Sequence, residues 1–403
     1  MQRKTRQYRV KSTTFPSSGE RFVLIEGPPS GITLEAPALY AVMSLRERGC
    51  SPNTMYLAMQ AVAIMLEWAA SRSPAIDIDE RLGTGMIFSR EEIHALRREL
   101  RRDLGASADR NGGRVVSTAH YYNRCHAVRN YVVWHAENIM RRIPVRETLR
   151  VQEHRIRLED FSTMMVSDLP SPRAGSREGV DENVEKAFLE AIRPGSATNP
   201  FQKQHQSRNH ALLLLYHIHG LRRAEALKIK GEDLFLTGPQ PMVRILVRVD
   251  EPSDPRRIEP RAKTEGRDVP LGAGLVEALK DWVLVHRSSY PGAKKTPYIF
   301  VARDGAPLSL NAVNDMFRLL RSRVPGISAD FTTHHLRHTA NDRLTDVAEE
   351  LGWDEAEEKR NRNYQFGWAK NSDQGEKYRT RSTRRRAAEA SLRLQEKSWA
   401  SKC

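Results

Sequence analysis

Six side chains in the last two hundred positions offer a chemistry: Arg222, Lys263, His334, Arg337, Trp368 and Tyr378. Displacing an alkoxide from a phosphodiester requires a nucleophile, stabilisation of the charge on the non-bridging oxygens, and an acid for the leaving oxygen. Guanidinium groups meet the second need without a metal, because each stays charged and presents two parallel donors to phosphate. The sequence shows no carboxylate or Cys/His cluster with ligand spacing, so neither a metal nor a cofactor is expected.

Two helical segments must position the arginines. In HGLRRAEAL, Gly220 closes one helix and Leu221, Ala224 and Leu227 form an apolar row, which leaves Arg222 and Glu225 together on another face. At that spacing the Glu225 carboxylate is expected to hold the Arg222 guanidinium, although a plain surface ion pair has the same pattern. In FTTHHLRHTANDRL, Leu336, Ala340, Leu344 and Val347 make the apolar stripe, and His334, Arg337 and His338 are expected to project away from it toward one phosphate. Taken singly, His334 also reads as an ordinary hydrogen-bonded histidine and Lys263 as a solvated turn lysine.

The runs GLRRAE at 220–225, AKTEGRDVPL at 262–271 and HHLRHT at 334–339, followed by Gly367-Trp368 and then Tyr378, resemble the tyrosine recombinase, or phage integrase, family in its usual order. The resemblance implies a mainly α fold with a small antiparallel β-sheet. It also implies the two-domain tyrosine recombinase architecture, a helical core-DNA-binding domain plus a mixed α/β catalytic domain. Carried over by position, Tyr378 is the nucleophile that forms a 3′-phosphotyrosine link, Arg222 and Arg337 clamp the scissile phosphate, and Lys263 is the acid for the 5′ oxygen. His334 assists, Trp368 fills the family's His/Trp position, and Glu225 and His338 are supporting residues. The separation from Arg337 to Tyr378 (378 − 337 = 41 positions) exceeds the family's usual spacing and contains the charged run DEAEEKRNRN, and Tyr364 is the rival tyrosine.

The wider chain fits a DNA partner. Lys and Arg number 65 against 50 Asp and Glu, so a field of net +15 draws polyanions toward the protein. Three dispersed cysteines, Cys50, Cys125 and Cys403, suggest a reducing cytoplasm, with the protein associated with the nucleoid. No apolar run is long enough for a membrane span or a signal segment.

The expected domains are a basic N-terminal arm over 1–30, extended or weakly ordered; a helical core-DNA-binding domain over 31–150; a linker over 151–182; a catalytic domain over 183–380; and a basic tail over 381–403 that docks on a neighbouring subunit or on DNA. In the helical domain, Gly49 ends one helix, Ser51-Pro52 begins the next, Ser89 and Glu92 form a capping box, and a fourth helix starts near Ser117. Arg97, Arg98, Arg101, Arg102, Arg124 and Arg129 form its basic surface, for phosphate contact or simply for solvation. In the catalytic domain, strands are expected over Met242–Val249 and Tyr298–Val301.

The expected function is site-specific recombination or integration for a mobile genetic element, on double-stranded DNA, through a 3′-phosphotyrosine and without metal or ATP. The enzyme is expected to be a homo-tetramer on paired sites and weakly associated or monomeric off DNA, and an accessory directionality factor is compatible with the scheme. Two other outcomes share the boxes: strand transfer like that of a type IB topoisomerase or telomere resolvase, and a catalytically idle DNA-binding regulator.

Overall fold

In the computed structural model, the described residues are 6–29, 31–103, 115–171, 179–262, 264–375, 387–388 and 390–395. The chain divides into two compact units, residues 1–175 and 176–403. Among the described residues, no helix is long and apolar enough to cross a membrane.

The first unit opens with a three-stranded antiparallel sheet of β1 (Arg9–Thr14), β2 (Arg21–Gly27) and β3 (Ile32–Thr33), with β2 in the centre and Arg9 opposite Glu26. The expectation of an extended or weakly ordered arm over 1–30 is therefore corrected for Arg9–Gly27. Phe22, Val23 and Ile25 are buried, and β1 keeps its charged residues because it is an edge strand facing water.

Six helices follow: α1 (Glu35–Tyr40), continued by a wider turn over Ala41–Arg46, α2 (Pro52–Ala70), α3 (Ile78–Thr84), α4 (Arg90–Arg101), α5 (Thr118–Met140) and α6 (Thr148–Val166). Their starts are chemically explicit. The Ser51 hydroxyl accepts from Thr54 N–H ahead of Pro52, Ser89 and Glu92 form the reciprocal capping box, and Ser117 caps α5. Gly49 follows the first helical segment at φ +67°.

Helix α6 corrects the linker expected from residue 151. Its His154, Leu158, Phe161 and Met165 recur at helical spacing and are buried, the last three in the same core as α2, α4 and α5. The polar composition that suggests a connector belongs to the residues after Val166.

The second unit comprises α7 (Glu182–Ile192), α8 (Lys203–His219), the one-turn α9 (Arg223–Leu227), strands β4 (Leu234–Phe235), β5 (Met242–Ile245) and β6 (Arg267–Pro270), then α10 (Ala273–Lys280), α11 (Leu310–Arg323), α12 (Thr333–Glu350) and α13 (Glu355–Phe366). The sheet is antiparallel with order β4-β5-β6, and Val243 faces Val269 while Ile245 faces Arg267. The strand expected over 242–249 stops at Ile245, and 298–301 makes only isolated bridges, Lys230 with Tyr298 and Val301 with Pro307. The core gathers Trp282, Phe188, Phe300, Phe317 and Phe331 between α7, α8, α10 and α11. The charged run 354–363 is the N-cap and about the first two and a half turns of α13.

Because Phe161 is fully enclosed, Phe161→Ala is expected to destabilise the first unit by about 3–5 kcal/mol. Denaturant unfolding of the full chain measures this; a change near zero would place α6 outside that core.

Candidate active site

Two glycines allow three segments of the second unit to meet. Gly220 ends α8 in the left-handed region at φ +58°, and a Cβ there would lie 2.7 Å from the Phe366 ring and 3.1 Å from Ala340 Cβ. Gly367 ends α13 at φ +63°, and a Cβ there would lie 2.4 Å from Arg267 Nη1. Any larger side chain would push α12 or β6 away from the chain between α13 and Trp368.

At this junction Arg337 reaches inward from α12. Its Nη1 donates to Gly220 O at 2.6 Å and its Nη2 to Phe366 O at 2.9 Å. The guanidinium lies 4.9 Å from the Phe366 ring centroid and 5.2 Å from that of Trp368. Only 2% exposed, Arg337 does not project from the apolar stripe as its sequence spacing suggests. Arg222, the residue before α9, points Nη1 at the same Phe366 O at 3.4 Å and keeps 30% of its side chain exposed. Two guanidiniums from separate helices thus converge on one oxygen.

Glu225 supports this arrangement differently from expectation. Its carboxylate is fully buried and accepts from Arg222 N–H at 2.6 Å, while the Arg222 guanidinium stands 3.9 Å away. The close partner is Arg267 on β6, which donates to both carboxylate oxygens at 3.0 and 3.3 Å and to Gln365 O at 2.9 Å. Burial pushes the Glu225 carboxyl pKa up, but Arg267 outweighs it, and the group ends below the usual carboxylate range. Nearby His219, pushed down to about 4 by burial and then by Arg267, stays neutral and adds no cation to the cluster.

Arg267 completes this cluster from outside the set of candidate residues. The signal was present: in RDVP, Arg267 shares a strand face with Val269, and an arginine on an inward face requires a buried acid.

Trp368 is 6% exposed and packs beside Phe366 and Ala340. His334, on the first turn of α12, faces solvent, and His338 is half-buried. The structure therefore brings together Arg222, Arg337, Glu225 and Trp368. Lys263 and Tyr378 lie outside the described residues. The rival Tyr364 is 59% exposed on α13, its hydroxyl 3.4 Å from Asp268 O.

The expected basic surface of the first unit is partly internal. Arg97 donates to Tyr121 Oη and Met164 O, and Arg124 donates to Leu100 O and Arg102 O, so these two tie helices together. Arg98, Arg101 and Arg102 are exposed, Arg102 pairing with Glu99, while Arg129 is half-buried and donates to Asn130.

Residues 180–353 match the model of the phage integrase family, the family of the tyrosine recombinases. A curated relative, the TnP I resolvase of Bacillus thuringiensis, is 28% identical over 136 residues, which span 34% of this chain and 40% of that protein's length. Similar solved structures include the Tn1549 transposon integrase in complex with circular intermediate DNA, 17% identical, covering 88% of this chain and 100% of that one at a TM-score of 0.47. Another is the XerH site-specific recombinase bound to palindromic difH substrate, 16% identical, covering 84% and 94% at a TM-score of 0.41.

Arg267→Met would leave the Glu225 carboxylate buried without its close partner, at an expected cost of about 3–5 kcal/mol. Adding Glu225→Gln should recover part of that loss in denaturant unfolding. Equal stability of the single and double variants would show that the pair is not coupled.

Proposed function

We propose that the chain is a site-specific DNA recombinase or integrase of a mobile genetic element, acting through a 3′-phosphotyrosine on double-stranded DNA. The observation that carries this reading is the convergence of Arg222 and Arg337 on a single oxygen, Phe366 O. Donors aimed at one point before substrate arrives require little reorganisation when negative charge develops there. On DNA, the two guanidiniums exchange this carbonyl for a non-bridging oxygen of the scissile phosphate.

Tyr378 Oη then attacks phosphorus. The Tyr378 O–P bond forms as His334 takes up the phenolic proton, the P–O5′ bond breaks, and Lys263 gives its proton to the departing O5′. Because the phosphodiester bond is exchanged for another ester, rejoining a 5′ hydroxyl reverses the step without ATP. His334, at the solvent face of α12, assists at the phosphate, Trp368 buttresses Arg337, and His338 supports the same helix.

The chain over 370–375 is held against α13. Asn363 Nδ2 donates to Lys370 O and Ser372 O, and a Cβ on Gly375 would lie 2.9 Å from Arg362 Cδ and 3.8 Å from the Trp368 ring. Tetramer formation on paired sites, nucleoid association, phosphate contact by exposed arginines such as Arg98 and Arg101, and an accessory directionality factor belong to the same reading.

The test is a nicked duplex from DNA flanking the gene, incubated without metal and analysed on a denaturing gel. A covalent adduct on a 3′ end is expected for the unaltered chain and for Tyr364→Phe, none for Tyr378→Phe, and about 10²–10³-fold slower formation for Arg337→Ala. An adduct lost only in Tyr364→Phe would refute the choice of nucleophile, and firm DNA binding without any adduct would refute the chemistry.

A further inference from the structure

The connection between β5 and β6, residues 246–266, contains a charge network that the reading above does not use. Lys228, the residue that ends α9, is 3% exposed and places Nζ among three carboxylates: Asp254 at 2.9 Å, Glu251 at 3.4 Å, and Glu259, its closest partner. These acids are spread over the connection, and only the fold gathers them.

Lys230 pairs with Glu251, which also accepts from Tyr298 Oη at 2.5 Å. Burial pushes the Glu251 carboxyl up, but Lys230 and Tyr298 outweigh it and hold the group at about 2. Arg256 makes two bonds to Asp254, at 2.8 and 2.7 Å, and donates to Leu227 O and Leu308 O. Three acids thus face three bases, and the set is neutral.

The network folds the connection onto the end of α9. Glu259 also accepts from the N–H groups of Asp250 and Glu251, at 3.0 and 3.3 Å, and Arg261 pairs with Asp250. On the far side of position 263, Glu265 N–H donates to Gly367 O at 3.0 Å, and Arg267 is locked to Glu225. The chain is therefore anchored four residues before Lys263 and two residues after it. Helix α9 carries Arg222 at its start and Lys228 at its end, separated by about one and a half turns.

We propose that Lys228 and Glu259 are positioning residues that set the chain carrying Lys263 in register with the phosphate clamp at Arg222. This rests on the assignment of Lys263 as the acid. In that step P–O5′ breaks and the Lys263 ammonium proton goes to O5′, so any displacement of the connection delays proton delivery while leaving the arginine clamp in place.

Sulfur in place of the 5′-bridging oxygen separates these effects, because a thiolate with a conjugate-acid pKa near ~8.5 departs without protonation. Initial cleavage rates are measured on both versions of one nicked duplex that the unaltered chain cleaves, with thermal unfolding of each variant alongside. Glu259→Gln keeps the side-chain shape and removes its charge; Arg261→Gln loosens the same connection and serves if Glu259→Gln does not fold.

Lys263→Ala and Glu259→Gln are each expected to cleave the ordinary duplex at least about tenfold more slowly, part of the ~10²–10⁴ that a general acid contributes, and to cleave the sulfur duplex at close to the unaltered rate. Equal losses on both duplexes, or no loss on the ordinary one, for a folded Glu259 or Arg261 variant would overturn the positioning role. If Lys263→Ala itself shows no selective rescue, the acid assignment fails and the proposal falls with it, an outcome the Lys263 control distinguishes.

Discussion

The second unit depends on keeping three guanidiniums close together in a buried place. Arg222, Arg337 and Arg267 all approach the chain at 365–367, and like charges at such range repel strongly where water is excluded. The buried Glu225 carboxylate offsets that repulsion. It is bidentate to Arg267, bonded to the Arg222 backbone, and lowered in pKa by Arg337 as well as by Arg267. Other guanidinium donors go to the carbonyls of Gly220, Gln365 and Phe366, the first and last of them at the two glycines that let the segments approach. The site is thus a set of charged donors held in place by one acid and by the ends of two helices, and this burial keeps the donors aimed before any ligand arrives.

Much of this was legible in the chain because its cause is local. Gly220 ends α8 where the sequence places it, Ser51, Ser89 and Ser117 start helices through side-chain bonds a few residues long, and α8 covers its apolar run. Arg337 was misjudged through a matter of arc. At about 100° per residue, Arg337 lies about 100° from Leu336 but only about 20° from Leu344. Leu336, Ala340, Arg337, Asn341 and Thr345 then form one continuous buried arc whose second half is polar, while Val347 at the other edge is exposed. An apolar stripe marks only part of a buried face when the neighbouring segment supplies carbonyls.

The α6 and β2 misreadings share a different origin, the weight given to composition over period. Between Val151 and Val166 charged and polar residues interrupt the apolar ones, yet Leu158, Phe161 and Met165 suffice for a buried face. Likewise Arg and Lys near the N-terminus suggest a solvated arm, but a central strand such as RFVLIEG needs only one charged edge strand beside it to fold. The carboxylates around Lys228 lay beyond sequence reading altogether, since Glu251, Asp254 and Glu259 have no regular spacing and no helical or strand period.

One consequence joins the two charge systems. Helix α9 is only five residues long, too short to be stable by its own hydrogen bonds, so its placement is set by what grips its ends. At the start, Glu225 and the αL turn at Gly220 fix Arg222; at the end, Lys228 and the Leu227 carbonyl are held by Asp254, Glu259 and Arg256. Breaking the Lys228 network therefore displaces the β5–β6 connection, which loses the ammonium that gathers its acids, while Arg222 retains its bond to Glu225 and stays in place. On this physical ground the two ends of α9 form one unit of preorganisation: Arg222 and the chain leading to Lys263 share a single rigid turn as their common reference.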